Sequence, residues 1–396
     1  MICTTGHRDP DGPARVLQAL DRTLLVGLVI AAGLQIGCTS AFQASSTQTP
    51  QTPQVQIARD TAPGVQDEEA FTLDDAEAQD KAPSFLDRLE ENLRLNVDVY
   101  SRGSTTHQRG QASWLNAVGL DLHKVFSAPD GDIGTLVLQP FLARRDNAIP
   151  VPHHTDGSSD WEIELHDFYF NLRRWGRGRT NIKVGHFDIP FGLEPTVDTH
   201  VRLHQLISNE NIGMKKDWGV SINGELPKFD YEISLTQGSG HEWINKGKNH
   251  ALAARIGTPG GRNFVAGASV FHGRILGHHG NLMRRSRVGV DAAWKVEQFT
   301  LRSEASMGQD SDNDVLNALA EVNWNTPDQK FEAYLQGVYL GSEATGTWDE
   351  KVQTRVGGRW QMSKHFSLSA QYSHDIVDRA TEPADGMFTI QLRFYY

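Results

Sequence analysis

Met387-Phe388-Thr389-Ile390-Gln391-Leu392-Arg393-Phe394-Tyr395-Tyr396 is the stretch that decides the fold. Phe388, Ile390, Leu392, Phe394 and Tyr396 share one face, and Thr389, Gln391, Arg393 and Tyr395 share the other. A side-chain period of two belongs to a β-strand, so one face is apolar and the other polar. A soluble sandwich could finish on such a strand. An aromatic at the last position, with no polar tail, fits better the closing strand of a transmembrane barrel, whose rims carry girdles of aromatic rings.

Working backwards, the same period continues as far as Leu93. There Leu93, Leu95, Val97 and Val99 face one way and Arg94, Asn96, Asp98 and Tyr100 the other. Further strands are expected at 113–125, 132–144, 160–172, 180–188, 217–225, 229–238, 250–257, 263–273, 286–296, 298–308, 314–324, 330–340, 350–361, 365–375 and 387–396. The fourth changes face near His166-Asp167, which implies a bulge. The connections alternate in length. Those after even strands are short, as at Gly176-Arg177-Gly178, Leu226-Pro227-Lys228 and Met362-Ser363-Lys364. Those after odd strands are mostly longer: 102–112, 145–159, 189–216, 239–249, 274–285, 309–313, 341–349 and 376–386. Short turns at one rim and long loops at the other mark an all-β transmembrane antiparallel barrel of about 16 strands, with periplasmic turns and extracellular loops.

Composition agrees. The longest apolar run, Leu24 to Leu34, is too short for a spanning helix, and the mean hydropathy is polar. A barrel tolerates this, because only alternate strand residues meet lipid. That run, flanked by Arg15 and Arg22, has the length of a signal-peptide core, so residues 1–41 read as a leader. Ile36-Gly37-Cys38 hints at lipoprotein processing, and Thr39-Ser40-Ala41 fits ordinary signal peptidase better. Residues 42–92 are Gln-, Thr- and Pro-rich and then acidic, which suits a disordered periplasmic tether with a short helix over 83–93. The acidity sits there: Asp60 to Glu91 holds 11 acids against two bases, whereas from Leu93 onward 35 acids face 32 bases. Residues 93–396 form the barrel. Cys3 and Cys38 are the only cysteines, so the mature chain has neither disulfide nor thiol chemistry.

Sixteen strands enclose an aqueous channel, whereas eight enclose only side chains. The inward positions are rich in charge: Arg94, Asp98, Lys183, Arg255, Arg287, Arg302, Arg355, Arg359 and Arg393, with Glu164, Asp230, Glu232, Asp291, Glu321 and Glu332. Unpaired in a dry core, these would be prohibitive, so the reading is a solvated lumen. The longest loop, Pro190 to Lys216, carries Glu194, Asp198, His200, Arg202, His204, Glu210, Lys215 and Lys216. Folded inward, it would narrow the channel and set a transverse field that filters solutes. Otherwise it lies over the mouth.

At this loop the chain resembles a known family. Lys183-Val184-Gly185-His186-Phe187-Asp188-Ile189-Pro190-Phe191-Gly192-Leu193-Glu194 is similar to the strand-to-loop passage of the phosphate-selective porin O and P family, which carries a similar Gly-x-Phe-x-x-Pro-Phe-x-Leu-Glu stretch. The resemblance covers a dozen residues and the 16-strand layout. It implies a trimeric outer-membrane porin, often anion-preferring through basic residues at the constriction. In the residues themselves that preference is slight: Arg144 to Arg302 holds 21 bases and 17 acids. The expected partners are outer-membrane lipid and lipopolysaccharide, small hydrophilic or anionic solutes, the barrel-assembly machinery through the last strand, and further copies in a homotrimer, with no nucleic acid. Arg284-Arg285-Ser286-Arg287, near the outer mouth, could pair with lipopolysaccharide phosphates.

No cofactor or metal is expected. His153-His154, His200 with His204 and His278-His279 lie in loops without a ligand framework at fixed spacing. No Gly-rich phosphate loop opens a helix. Catalysis is not expected either, because adjacent Ser373 and His374 alternate faces and cannot form a pair. A structural, adhesive or partner-sheathing barrel without free conduction is the alternative to a pore.

Overall fold

The computed structural model describes residues 92–107, 110–129, 131–146, 161–175, 179–243, 248–276, 281–344, 346–377 and 385–396. The leader, the tether and the short helix fall on residues outside these, as do His153, His154, His278 and His279.

Sixteen strands form one closed antiparallel ring. They are β1 (Leu93–Thr106), β2 (Ala112–Ala128), β3 (Gly131–Asp146), β4 (Trp161–Trp175), β5 (Thr180–Asp188), β6 (Lys216–Glu225), β7 (Asp230–Thr236) and β8 (His250–Gly257). Then follow β9 (Phe264–Leu276), β10 (Leu282–Val296), β11 (Phe299–Asp310), β12 (Asn313–Asn325), β13 (Phe331–Ala344), β14 (Thr347–Gln361), β15 (Phe366–Val377) and β16 (Gly386–Tyr395). Each strand pairs with its sequence neighbours, and β16 returns to β1 with Val99 opposite Phe394. Val97 and Tyr396 exchange backbone hydrogen bonds of 2.8 and 2.9 Å, which seals the seam. Closure leaves no free edge, the condition for a sheet to cross hydrocarbon.

The two faces sort as the alternation requires. Val184, Val220, Ile233, Leu252, Val270, Val288, Val290, Leu335, Val356 and Leu392 stand exposed on the outside. Their strand neighbours Asp291, Glu304, Glu321, Glu332, Gln336 and Gln391 are buried inside. A water-soluble molecule would not expose an apolar band round its whole circumference. At the short-turn rim this band ends in aromatic rings paired across the strands: Phe264 opposite Trp294, Phe299 opposite Trp324, Phe331 opposite Trp360 and Phe366 opposite Phe394. That is the interfacial girdle of an outer-membrane barrel.

The bulge falls where the sequence places it. Leu138 pairs with Phe168 but Pro140 pairs with Leu165, so His166 and Asp167 together oppose Gln139. The loop lengths need refinement. The described residues of 309–313 and 341–349 are mostly strand: β11 to β12 turns at residues 311–312, and β13 runs to Ala344 with β14 beginning at Thr347. Likewise β9 and β10 extend into 274–285. On this rim the length is largely raised β-hairpin: the ladder continues past the apolar belt, where polar residues carry no hydrophobic period to read. Among the described residues, irregular length is concentrated after β5 and β7. The wall is lowest there too, with 9, 10, 7 and 8 residues in β5 to β8.

Gly185 holds the low wall together. Its φ is +137°, and a Cβ there would lie 2.0 Å from the Phe168 carbonyl oxygen, immediately beside the bulge. Gly185→Ala is expected to weaken the barrel by roughly 2–3 kcal/mol through backbone strain and collision. Gly260→Ala, where a Cβ meets nothing within 4 Å, should be neutral. Urea titration read by heat-modifiable gel mobility distinguishes the two, and equal midpoints would remove the constraint.

Candidate functional site

The 189–215 connection leaves β5, returns to β6 and lies inside the barrel. Its neck is closed by the Ile189 N–H donating to the Lys215 carbonyl at 3.0 Å. It contains a 3-10 turn (Glu194–Thr196) and one short helix, α1 (Ser208–Ile212), ended by Gly213 in the left-handed conformation. Three apolar clusters fasten it to three sectors of the inner wall. Ile189, Phe191, Ile212 and Met214 pack on Ala251, Ala253, Phe271 and Ile275 of β8 and β9. Leu193, Leu206 and Ile207 pack on Leu319 of β12 and Val338 of β13. Val201 meets Tyr100, Leu115, Ala117, Phe141 and Ala143 of β1 to β3. Fully burying each large apolar side chain contributes about 1.5–3 kcal/mol, which offsets part of the entropy of ordering the loop; hydrogen bonds to the wall add to it.

Polar groups of the wall then complete the loop's hydrogen bonding. Glu304 of β11 is the junction. Its Oε2 accepts from the Leu193 N–H at 2.8 Å, and its Oε1 accepts from Asn211 Nδ2 at 2.5 Å, so one carboxylate ties the loop's outgoing and returning arms. Gly192 (φ +61°) allows this approach, since a Cβ there would sit 2.4 Å from the carboxylate. Asn211 Oδ1 accepts from Ser306 Oγ (2.8 Å) and Asn317 Nδ2 (3.0 Å). The Gln205 carbonyl takes Gln336 Nε2 (3.2 Å) and Arg355 Nη1 (3.1 Å), and the Val201 carbonyl takes Gln391 Nε2 (2.8 Å). Val201 has φ +55°, a strained conformation for a β-branched residue, held by packing and by that last bond.

Among the loop residues named from sequence, the geometry separates three groups. Glu194 is buried and braces the loop internally, accepting from Thr199 Oγ1 (3.0 Å) and Ser208 Oγ (2.6 Å), with Lys215 Nζ at 2.7 Å. Lys216 belongs to β6, not the loop, and is buried between Asp167 and Asp188, at 2.8 Å from each. Asp198 is exposed and accepts from the His200 N–H at 2.9 Å, while the His200 ring lies between Phe141 and His166, with Nε2 3.6 Å from Asp98. His204 is buried, its ring 4.3 Å from that of Tyr334. Arg202 is part-exposed and reaches Glu332 at 3.3 Å.

The inward cations of the wall are mostly paired. Arg393 binds Asp98 through two bonds of 2.9 and 2.6 Å. Arg255 reaches Asp291 at 2.6 Å and donates to the Gly192 carbonyl at 3.0 Å. Arg287 holds Asp310 at 2.6 Å, Lys183 holds Glu232 at 2.8 Å, Arg359 reaches Glu332 at 3.0 Å, and Arg302 pairs with Glu321. Arg355 bonds Gln336 and Gln353, and Arg94, exposed near the turn rim, donates to the Tyr395 hydroxyl. Many of these inward charges are buried and paired with one another rather than standing singly in lumen water. The loop displaces the water, and complementary pairing replaces it. Glu304, Asn211, Gln336 and Gln391 escaped the sequence reading. Strand alternation marks Glu304, Gln336 and Gln391 as inward but not as the ones the loop would reach, and Asn211 lies in the loop itself, where no period applies.

Beneath the loop a vestibule of about 640 Å³ opens at the short-turn rim, lined by Asn181, Asn223, Glu225, Asp230, Glu232 and Arg255. Between loop and wall a gap of about 20 Å³, room for roughly one water, is lined by Arg202, His204, Glu332, Tyr334, Arg359, Gln391 and Arg393. Ser373 points inward and His374 outward, on opposite faces. Among the described residues no three His, Cys, Asp or Glu side chains converge as a metal site.

A closed 16-strand ring with an apolar exterior, an aromatic rim and a lumen crossed by an infolded loop defines the porin fold of outer-membrane β-barrels, and the outer membrane is where such a surface belongs. No protein-family profile and no curated protein matches the chain by sequence. Solved structures match it by shape. OmpF of Salmonella typhi, in complex with daunomycin, aligns with a TM-score of 0.59 at 10% identity over 77% of this chain and 97% of its own. The anion-selective porin from Comamonas acidovorans aligns with 0.56 at 10% identity over 77% and 99%. The outer-membrane channel DcaP of Acinetobacter baumannii aligns with 0.52 at 12% identity over 77% and 97%.

Two outcomes follow for the loop. Glu304→Leu removes both acceptors and should leave the loop cleavable by added protease and the conductance raised, while Glu304→Gln, which keeps a carbonyl oxygen, should lie nearer the native behaviour. Intact loops in both variants would exclude Glu304 as the junction. The second concerns acid. Burial holds the pKa of His204 down at about 4, against the pull of Glu321 and Glu332, with Arg202 and Arg302 acting in the same sense as burial. An undocked imidazole protonates near 6.5, so the docked loop is at full strength above about pH 6.5 and weakens as pH falls towards about 4. Loop cleavage should rise over that window and flatten in His204→Gln; an unchanged pH profile in the variant would assign the effect elsewhere.

Proposed function

We propose that this chain is an outer-membrane porin for passive diffusion of small hydrophilic solutes, with the 189–215 loop as its constriction and a lean towards anions. The observation that carries the reading is the charge at the gap. Arg202, Arg359 and Arg393 line it together with Glu332, and only Asp98 adds a second carboxylate, on Arg393. Three guanidinium groups on two carboxylates leave a surplus of one positive charge at this gap between loop and wall, where a low-dielectric lining focuses the field. The dozen-residue resemblance to the phosphate-selective porin O and P family supports the same direction. So does the likeness in shape to the anion-selective porin from Comamonas acidovorans. Phosphate itself is not assigned.

Within this reading residues 1–41 are the export leader, 42–92 an acidic periplasmic tether and 93–396 the channel. The last strand is the handle for barrel assembly, and the low wall is compatible with a homotrimer. A second reading has a specific observation behind it. The loop touches three sectors of wall and leaves a gap of only about one water, which favours a barrel closed at rest and serving as scaffold or sheath.

Planar-bilayer recording separates the two. The porin reading expects steady single-channel steps and, in a salt gradient, a reversal potential on the anion side. Arg202→Gln, Arg359→Gln and Arg393→Gln should each move that potential towards cations. Lys215→Gln and Lys216→Gln should move it little, since both lysines are tied to carboxylates away from the gap. A silent bilayer would favour the closed scaffold, and a shift led by the lysines would displace the filter from this gap.

A further inference from the structure

The outward face carries a charged sector that solute passage does not use. His250, Arg274 and Arg284 stand in one row across β8, β9 and β10, His250 opposite Arg274 and Arg274 opposite Arg284. All three are exposed, as is Lys248 just before β8. Strand alternation aims the row outward, on the face of Val270 and Val288 and at the rim opposite the Phe264–Trp294 girdle pair. Arg274 lies four residues beyond Val270, about 13 Å along the strand at ~3.3 Å per residue, which is headgroup height above a hydrocarbon belt.

Two arginines directly opposite each other repel, and an isolated sheet would avoid the pair. Their neighbours show how the fold treats such charge. Arg285 and Arg287, on the inward face of the same strand, share Asp310, and outward Arg144 has Asp146 at 3.2 Å. Among the described residues Arg274 and Arg284 have no side-chain hydrogen bond and no ion pair. Asp314, on the outward row below, accepts from Gln309 Nε2 at 3.0 Å. His272, on that row, is engaged by Ser286 at 2.8 Å. The repulsion is thus left for something outside the chain to relieve, and that partner is anionic.

We propose that this row binds the phosphate of a phosphorylated lipid headgroup in the surrounding leaflet. Acyl chains lie on Leu252, Val270 and Val288, and Arg274 and Arg284 close on the phosphate as planar forks, with His250 and Lys248 at its flank. Arginine suits the task because it matches phosphate oxygens bidentately and stays charged. Continuity of cations with the lipid-facing belt selects a lipid over a free anion, whose affinity would gain nothing from the apolar surface. Direct cation contact also makes the binding independent of bridging divalent ions.

The test uses the purified full chain in detergent with EDTA, titrated with bis-phosphorylated lipid A, with dephosphorylated lipid A and with inorganic phosphate, bound lipid being counted by native mass spectrometry. Phosphorylated lipid should bind and its dephosphorylated form should not compete. Arg274→Ala and Arg284→Ala should each weaken binding about tenfold, the effect of losing one charge-assisted contact. The double Arg→Lys variant should retain more than the double Arg→Ala, and Arg262→Ala at the other rim should change nothing. Heat-modifiable mobility confirms that each variant is folded, and the lysine pair carries the test should the alanine pair fail to fold. Equal binding of both lipid forms, native binding in the double alanine variant, or displacement of lipid by inorganic phosphate at like concentration would each overturn the proposal.

Discussion

A peptide segment driven into the lumen of a barrel must find partners for its N–H and C=O groups where it has expelled the water. That requirement governs the interior of this protein. The 27 residues between β5 and β6 bring three apolar clusters with them, and these supply the drive inward. What fixes the position is polar: the Glu304 carboxylate receiving both arms of the loop, and the amides of Gln336 and Gln391 receiving its carbonyls. An unpartnered buried amide costs more than a made bond contributes, so specificity resides in these few contacts and bulk stabilisation in the apolar ones.

The same displacement of water explains the charges. An open channel would leave inward arginines hydrated and their counter-charges optional. With the loop in place the cost of desolvation forces pairing, and Arg255 with Asp291, Arg287 with Asp310 and Arg393 with Asp98 are the result. The gap beside Arg202, Arg359 and Glu332 is a place where loop and wall stand apart and a paired charge keeps access to water. Infolding of the loop and pairing of the wall charges are therefore two consequences of one packing arrangement. A shift of the loop by a side chain's width would alter both.

Outside, the constraint is reversed. Strand residues facing hydrocarbon have no partner to find, so sequence there is simple: Val, Leu, Ile, with aromatics at the rim. A departure from this simplicity carries information. The row His250, Arg274 and Arg284 departs from it by placing like charges side by side at the level where lipid headgroups begin.

Alternation by two was legible from the sequence in the first and last strands, and so were the ring of sixteen and the bulge at His166-Asp167. The inward sense of Arg255, Arg355 and Arg393 followed from it, because the period of a pleated strand is a local property; of the Arg284-Arg285-Ser286-Arg287 group read as an outer-mouth cluster, Arg285 and Arg287 turn inward to Asp310. The Gly185 to Glu194 motif also marked the right place: Gly185 supports the bulge, Phe191 anchors the loop, Gly192 admits Glu304 and Glu194 braces the turn. Local signals could not assign partners across the lumen. That Lys216 is spent on Asp167 and Asp188, and that Glu304 rather than Glu321 receives Leu193, depend on where segments from about thirty to more than a hundred residues apart come to lie. Periodicity determined the wall, being written residue by residue; closure of the ring and infolding of the loop decided the interior, because contact between distant residues exists only once the chain has closed.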